Sequence, residues 1–159
     1  MTLLREDFAG QRQLRFRVEG QTVHLFKHKG ESTHHVTCKI LVYALYHRQY
    51  PLELEPRLDC KYQPDVASLA LTGDVQFWAQ CGEVPIDHVA YVLKHSDAEE
   101  VVLVREDIDL DRLVASIKRH IHYRYTTGKL RILVFRNLDE WFNPDDVVVP
   151  EDRFTLYSF

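Results

Sequence analysis

The sequence predicts an α/β fold of the α+β kind, a mixed β-sheet flanked by helices, and three observations lead there. Two pairs of short runs alternating apolar and polar residues are each joined by a tight glycine turn, the mark of antiparallel hairpins. Two largely apolar runs, Val101–Val104 and Leu130–Phe135, the second broken only by Arg131, flank one amphipathic helical stretch, the mark of parallel strands joined by a crossover helix. No glycine-rich phosphate loop follows any strand, so a doubly wound nucleotide-binding sheet is not expected. The 159 residues, 45% hydrophobic and 28% charged with only 6 Gly and 6 Pro, fit one globular domain over 1–159 and exclude disordered and collagen-like classes.

The elements follow in order. Gln13–Val18 and Thr22–Lys27 alternate on either side of Glu19-Gly20-Gln21 and make the first hairpin. Beyond Gly30, Ser32 or Thr33 caps a helix that runs to about His47, with Val36, Ile40, Tyr43 and Ala44 on one stripe and Pro51 as its stop. Leu52–Leu54 is a short strand. Asp65–Leu71 and Val75–Cys81 flank Thr72-Gly73-Asp74 as a second hairpin, expected at the centre of the sheet. Pro85 suits the first turn of a second helix, whose apolar positions are Ile86, Val89, Ala90 and Leu93. Leu110, Leu113, Val114, Ile117, Ile121 and Tyr125 describe a third helix ending near Gly128; Val147–Val149 and Phe154–Tyr157 are expected edge strands.

Charge and cysteine content narrow the function. Twenty Lys and Arg against 24 Asp and Glu give a net charge of −4, which excludes a surface coated in positive charge but permits one basic groove. Cys38, Cys60 and Cys81 are widely spaced, with no C-x-x-C pair, and read as reduced thiols. Arg5, Glu6 and Asp7 interrupt the first ten residues, so no export signal is expected there, and the longest apolar run, Ile40–Tyr46, is too short to cross a bilayer. A cytoplasmic protein without membrane contact is the expectation.

The second hairpin carries the sharpest chemistry. A tight turn at Thr72-Gly73 gives paired residues whose numbers sum to about 145, which sets Asp65 across from Gln80 with one residue of uncertainty for a bulge. Along Val75–Cys81, Gln76, Trp78 and Gln80 share one face, and polar amides on a central strand need partners or a cavity. A carboxylate on one strand, an acid or amide on its hairpin partner and an acid at a helix start form the arrangement with which the PD-(D/E)xK nuclease core holds a divalent cation. Hard oxygen ligands suit Mg²⁺, which bridges a phosphate oxygen and activates water.

Three segments carry a family resemblance: His28-Lys29-Gly30-Glu31-Ser32 leading to Lys39-Ile40-Leu41, Pro64-Asp65-Val66-Ala67, and Trp78-Ala79-Gln80-Cys81-Gly82. Over roughly residues 25–94 the chain resembles the YaeQ family of small bacterial proteins, whose pattern is an H-x-x-E-[ST] helix start, a P-[DE] strand and a W-x-[DE]-x-G strand. The resemblance implies a restriction-endonuclease-like core and marks Glu31, Asp65 and Gln80 as the metal and catalytic positions, with Mg²⁺ or Mn²⁺ as cofactor. Two positions depart from it. Gln80 stands where an acid is expected and lends a carbonyl oxygen without charge, so affinity on the order of millimolar is expected. Gly82 stands where many active nucleases carry lysine.

Lys94 on the second helix is a candidate migrated lysine, although a solvated helix-end lysine is its plainer reading. Lys118, Arg119, Arg124, Lys129 and Arg131, interleaved with His120, His122, Tyr123 and Tyr125, have the composition of a nucleic-acid-binding face; the plainer reading is a solvated helix end that offsets the dipole. His24, His28, His34 and His35 cluster near the first helix without the H-x3-H spacing of a zinc site, and rim histidines are the better reading. No nucleophile signature points to covalent catalysis. Two functions compete: a metal-dependent nucleic-acid phosphodiesterase with a degenerate site, and a noncatalytic nucleic-acid- or protein-binding module that keeps the fold.

Overall fold

A computed structural model describes residues 12–159; the segment 1–11, on which the expectation of no export signal rests, lies outside the described residues. The two hairpins enter different sheets. Strands β1 (Arg12–Val18) and β2 (Gln21–Lys27) pair with each other alone, in register from Arg12 with Lys27 to Val18 with Gln21. The main sheet has six strands in the order β3 (Glu53–Leu54), β4 (Val66–Leu69), β5 (Val75–Cys81), β6 (Glu100–Glu106), β7 (Leu130–Phe135) and β8 (Phe154–Ser158). Strands β5, β6 and β7 run parallel and the remaining neighbours antiparallel, which makes the sheet mixed, as the sequence predicts.

The period-2 alternation of the central strands divides the core into two layers. Phe77, Ala79, Cys81, Val102, Val104, Leu133 and Phe135 pack beneath helix α1 (Thr33–Tyr46), which is covered on its far side by Leu14, Phe16, Val18 and Leu25 of the hairpin. Helix α1 is therefore buried nearly all round: Val36, Thr37, Cys38, Lys39, Ile40, Leu41 and Val42 are all inside, whereas the sequence pattern implies the stripe of Val36, Ile40, Tyr43 and Ala44 with Thr37, Leu41 and Leu45 beside it. Trp78, Val101, Leu103, Leu130, Ile132 and Val134 face the other way, against helices α2 (Ile86–His95) and α3 (Leu110–His120). Among the described residues no helix is long and apolar enough to cross a membrane.

Several boundaries differ from expectation for local reasons. The third helix stops at His120 because Ile121 turns extended to bury its side chain; a separate short helix, α4 (Tyr123–Thr126), then starts with the His122 ring accepting from the Arg124 backbone N–H. Pro85 caps α2 rather than entering its first turn. Val147–Val149 is not a strand: Val147 donates its backbone N–H to the Arg17 carbonyl while Arg17 donates to the Pro144 carbonyl, which ties this segment to β1. A short helix α5 (Leu138–Trp141) precedes it and buries Leu138.

A histidine fastens three of these elements. His34, in the first turn of α1, meets Glu106 at the end of β6 through Nδ1 (2.5 Å) and Asp139 of α5 through Nε2 (3.3 Å). Both ring nitrogens face carboxylates, so the ring is held as the imidazolium. Burial works against this charge, but the two acids outweigh it and raise the His34 pKa above its ordinary 6.5. A folded-state pKa above the unfolded one gives stabilisation that is complete below about pH 6.5 and is lost as pH rises through the folded value. His34→Gln is therefore expected to flatten the fall in unfolding free energy above pH 6.5, by at most about 1.4 kcal/mol per pH unit for one proton. Urea unfolding from pH 6 to 9 reads this directly, and an unchanged slope would mean that the ring carries no extra proton in the native state.

Candidate functional site

The site lies where the start of α1 meets the C-terminal end of β5 and the segment that enters β4. Asp65 directly precedes β4; its backbone N–H donates to the carbonyl of Ala79, the residue that the register pairs with Val66, so the ladder ends at Val66 and Asp65 meets Gln80 through its side chain rather than as a ladder pair. A register shift also lies further along, between Ser68 and Leu69. Oδ2 of Asp65 accepts from the Cys81 backbone N–H (2.7 Å) and from Gln80 Nε2 (3.2 Å). Glu31 directly precedes the cap residue Ser32, on the same side of the sheet end as Asp65, and His35 bridges the two.

The centre of the cluster is a residue to which the sequence reading assigned no role. Lys39, 2% exposed, sends Nζ to Glu31 Oε2 (2.5 Å), to Glu55 Oε1, and to within 4.0 Å of Asp65 Oδ1. His35 Nδ1 donates to Glu31 Oε2 (2.6 Å) and Nε2 to the Cys81 carbonyl (3.1 Å), with Asp65 Oδ2 at 3.7 Å as an ion-pair partner beyond hydrogen-bond length. Both ring nitrogens meet acceptors, which only the imidazolium satisfies. Asp65 and then Glu31 raise the His35 pKa to about 9 against burial. Burial pushes the Glu31 carboxyl up, but hydrogen bonds from His35, Lys39 and the His28 backbone outweigh it and bring the carboxyl down to about 2. Three carboxylates thus face two fixed cations.

Of the expected site residues, Glu31, Asp65 and Gln80 come together and Lys94 does not. Gln80 holds Asp65 rather than offering its carbonyl: Oε1 accepts from the Trp78 indole N–H (3.4 Å) while Nε2 donates to Asp65. The reverse orientation would set two donors against each other and oxygen against carboxylate, so the amide has one satisfactory placement. Lys94 is exposed at the end of α2, its ammonium 5.3 Å from the centre of the Tyr125 ring. Gly82, where a lysine was looked for, has φ of +84°, in the left-handed region that disfavours side chains, and a Cβ there would sit 3.6 Å from the His35 ring.

Spacing offered a signal for the missed residues. Glu31, His35 and Lys39 recur every four positions and so share one helical stripe, and Lys39 is the one charged residue in an otherwise apolar run from Val36 to Leu45, a placement that demands a buried partner. Glu55 carried no such signal.

The expected basic face does not border this cluster. Helix α3 runs back from the C-terminal ends of the strands, so Lys118 and Arg119 emerge at the opposite end of the sheet, roughly 20 Å away for a strand of this length. Lys129 is turned onto the carbonyls of Leu93 and Ser96, and Arg131 onto Glu100. Arg124 lies against its neighbour Tyr125 and Lys118 over Tyr157. The cleft over Asp65, about 660 Å³ in volume, is lined by Lys39 and His35 at its floor and by Lys29 and Arg57, which are exposed and without an ion pair among the described residues. The thiols of Cys38 and Cys81, driven well up by burial, are inert core groups.

No family model and no curated protein matches the chain. Solved structures that share its fold include two YaeQ proteins. A YaeQ protein from Xanthomonas axonopodis pv. citri is 17% identical with a TM-score of 0.62, covering 95% of this chain and 92% of that one. A YaeQ protein from Pseudomonas syringae is 13% identical with a TM-score of 0.60, covering 94% and 89%. The chain has a YaeQ-like fold, and the resemblance read from its residues holds at that level.

Lys39→Met strands two carboxylates beside Asp65 and is expected to cost about 3 kcal/mol at pH 7, as for one partner lost from a buried pair. In a domain of this size that lowers Tm by roughly 6–12 °C. The loss should shrink at pH 4, where the stranded acids take up protons; an unchanged Tm at pH 7 would show that they do not depend on Lys39.

Proposed function

We propose that the chain is a nuclease-fold protein of the PD-(D/E)xK kind whose cleft at Asp65 acts on nucleic-acid phosphodiesters with Mg²⁺ or Mn²⁺. One observation carries this reading: a buried lysine stands beside Asp65 and Glu31 at the floor of an open cleft, although neither Gly82 nor Lys94 supplies it. The donor set fits a hard cation. Among the described residues Asp65 Oδ1 makes no hydrogen bond, because Gln80 and Cys81 use only Oδ2, and Glu31 adds a second carboxylate. A divalent cation held there supplies positive charge to a phosphate oxygen and a more acidic water.

The protein's own groups do the remaining work. Gln80 and the Cys81 N–H fix the Asp65 carboxylate, leaving one oxygen turned to the cleft. Lys39, held by Glu31 and Glu55, presents a preorganised ammonium 4.0 Å from that oxygen, which suits it to orient an attacking water and to offset charge developing on phosphate. His35 is held as a donor to Glu31 and to the Cys81 carbonyl, which fixes the helix start against the strand end. Lys29 and Arg57 at the rim are placed for flanking phosphates, in a chain whose overall charge repels them.

A noncatalytic module that binds nucleic acid or protein is the second reading, favoured by the pairing of the acids with Lys39 and His35. Incubation with Mn²⁺ and single- and double-stranded DNA and RNA separates the two. The expected result is Mn²⁺-dependent cleavage that falls by about a hundredfold or more in Asp65→Asn, with Tm retained. Cleavage that survives in that variant, or none by the wild type on any of the four substrates, would overturn the catalytic reading.

A further inference from the structure

A different set of ligands lies on the other side of Glu31. The turn from His28 to Glu31 passes through Gly30 at φ +81° and brings the His28 ring over Glu55, with Nε2 3.2 Å from Glu55 Oε2. One ligand atom from each of His28, Glu31 and Glu55 lies within 4.8 Å of the other two, and all three residues open on the 660 Å³ cleft. Lys39 determines how these acids present themselves. It holds Glu31 by Oε2 and Glu55 by Oε1, so the remaining oxygens are the ones that meet His28, Glu31 Oε1 through the backbone N–H (3.0 Å) and Glu55 Oε2 through the ring. A buried partner that orients carboxylates by their far oxygens is how outer groups prepare metal ligands.

We propose that His28, Glu31 and Glu55 form a cation site distinct from the Asp65 position, selective for a transition-metal ion of the Zn²⁺ type over Mg²⁺. An imidazole nitrogen lone pair and a carboxylate oxygen that face each other at 3.2 Å need a positive centre between them, either a proton or a metal ion. The His28–Glu55 spacing suits the metal: two ligands about 2.0–2.1 Å from a tetrahedral Zn²⁺ stand about 3.3 Å apart, and Glu31, within 4.8 Å of both, closes on the ion by a side-chain adjustment. One imidazole with two carboxylates is a donor set for Zn²⁺, Co²⁺ or Mn²⁺, whereas Mg²⁺ prefers oxygen alone. Three protein ligands and an open cleft leave a fourth position for water or for a substrate oxygen. The site shares Glu31 with the phosphodiesterase reading but rests on His28 and Glu55, which that reading does not use as ligands.

Titration of the full chain with Co²⁺, followed by its visible absorption, and competition by Zn²⁺ and by Mg²⁺ test the assignment. The wild type is expected to develop the intense bands of low-coordinate Co²⁺ at one equivalent, to lose them to Zn²⁺ and to keep them in excess Mg²⁺. His28→Gln and Glu55→Gln should each weaken Co²⁺ binding by about tenfold or more, whereas Asp65→Asn should stay within about threefold. The His28 side chain is 52% exposed and makes no hydrogen bond or ion pair with Lys39 among the described residues, so its variant remains informative if Glu55→Gln loosens Lys39 and lowers the Tm. Absence of Co²⁺ bands in the wild type, unaltered binding by His28→Gln, or an equal loss in Asp65→Asn would each overturn the site. Failure of the phosphodiesterase reading looks different: it appears as absent or Asp65-independent cleavage, whatever the Co²⁺ spectrum shows.

Discussion

The burial of one ammonium governs the architecture of this end of the molecule. Lys39 sits in α1 between the main sheet and the β1–β2 hairpin, 2% exposed, where an unpaired charge is untenable. Three segments distant in sequence answer it: Glu31 from the helix start, Glu55 from the loop after β3, and Asp65 from the entry to β4. Each must arrive in a set conformation. Glu55 adopts φ of +50°, unusual for a residue with a side chain, and its backbone N–H donates to the Asp65 carbonyl, so the two acids are tied through the main chain as well as through Lys39. Hydrophobic isosteres could fill such a space at equal or better stability, so the expense of burying the cluster is better explained by what it presents to the cleft.

Topology determines which end of the sheet that cleft occupies. Parallel β5 and β6 bring their C-terminal ends together, where Gly82 donates to the Val104 carbonyl and the chain turns away, leaving space above the strands. Helix α1 enters from the opposite layer with its N-terminus at the same edge, so its partial positive charge is directed at the carboxylates. The crossover helix α3 necessarily returns to the far edge before β7 can start, and its basic C-terminal turn goes with it. A cluster of cations close together in sequence therefore ends up split among a helix end, a pair of backbone carbonyls and a buried glutamate, none of them near Asp65.

The pattern of what the sequence disclosed follows from the range of each interaction. The nearness of Asp65 to Gln80 was legible because a tight turn and alternation carry register along two adjacent strands to within a residue. The stripe of Glu31, His35 and Lys39 was equally local, but reading it required treating α1 as buried on all sides, and that depends on a hairpin whose docking no periodicity records. Lys94 satisfied proximity in sequence to the second hairpin and failed in space, because α2 carries it outward toward Tyr125. Glu55 could not be found in advance: it lies in a loop, and only the conformation of residues 55–65 brings it to Lys39. The break of the third helix at Ile121 is a tertiary effect of the same kind, since the apolar stripe continues through it and burial of one side chain decides against helix.

Charge balance shows why a paired cluster and a cation-binding site are compatible descriptions of the same residues. Glu31, Glu55 and Asp65 against Lys39 and the His35 imidazolium leave one negative charge on the five groups at the cleft floor, without the repulsion that three bare carboxylates would create. On the proposed reading, a divalent cation alone would turn that balance to one positive charge, and a phosphodiester alone would turn it to two negative charges. Together they bring the local sum to zero. Each guest therefore strengthens the site for the other, and the reciprocity of linkage requires the two enhancements to be equal. Gln80 in place of an acid contributes to the same balance: a fourth carboxylate beside Asp65 would leave the ternary assembly negative, whereas the amide orients Asp65 at no change in charge.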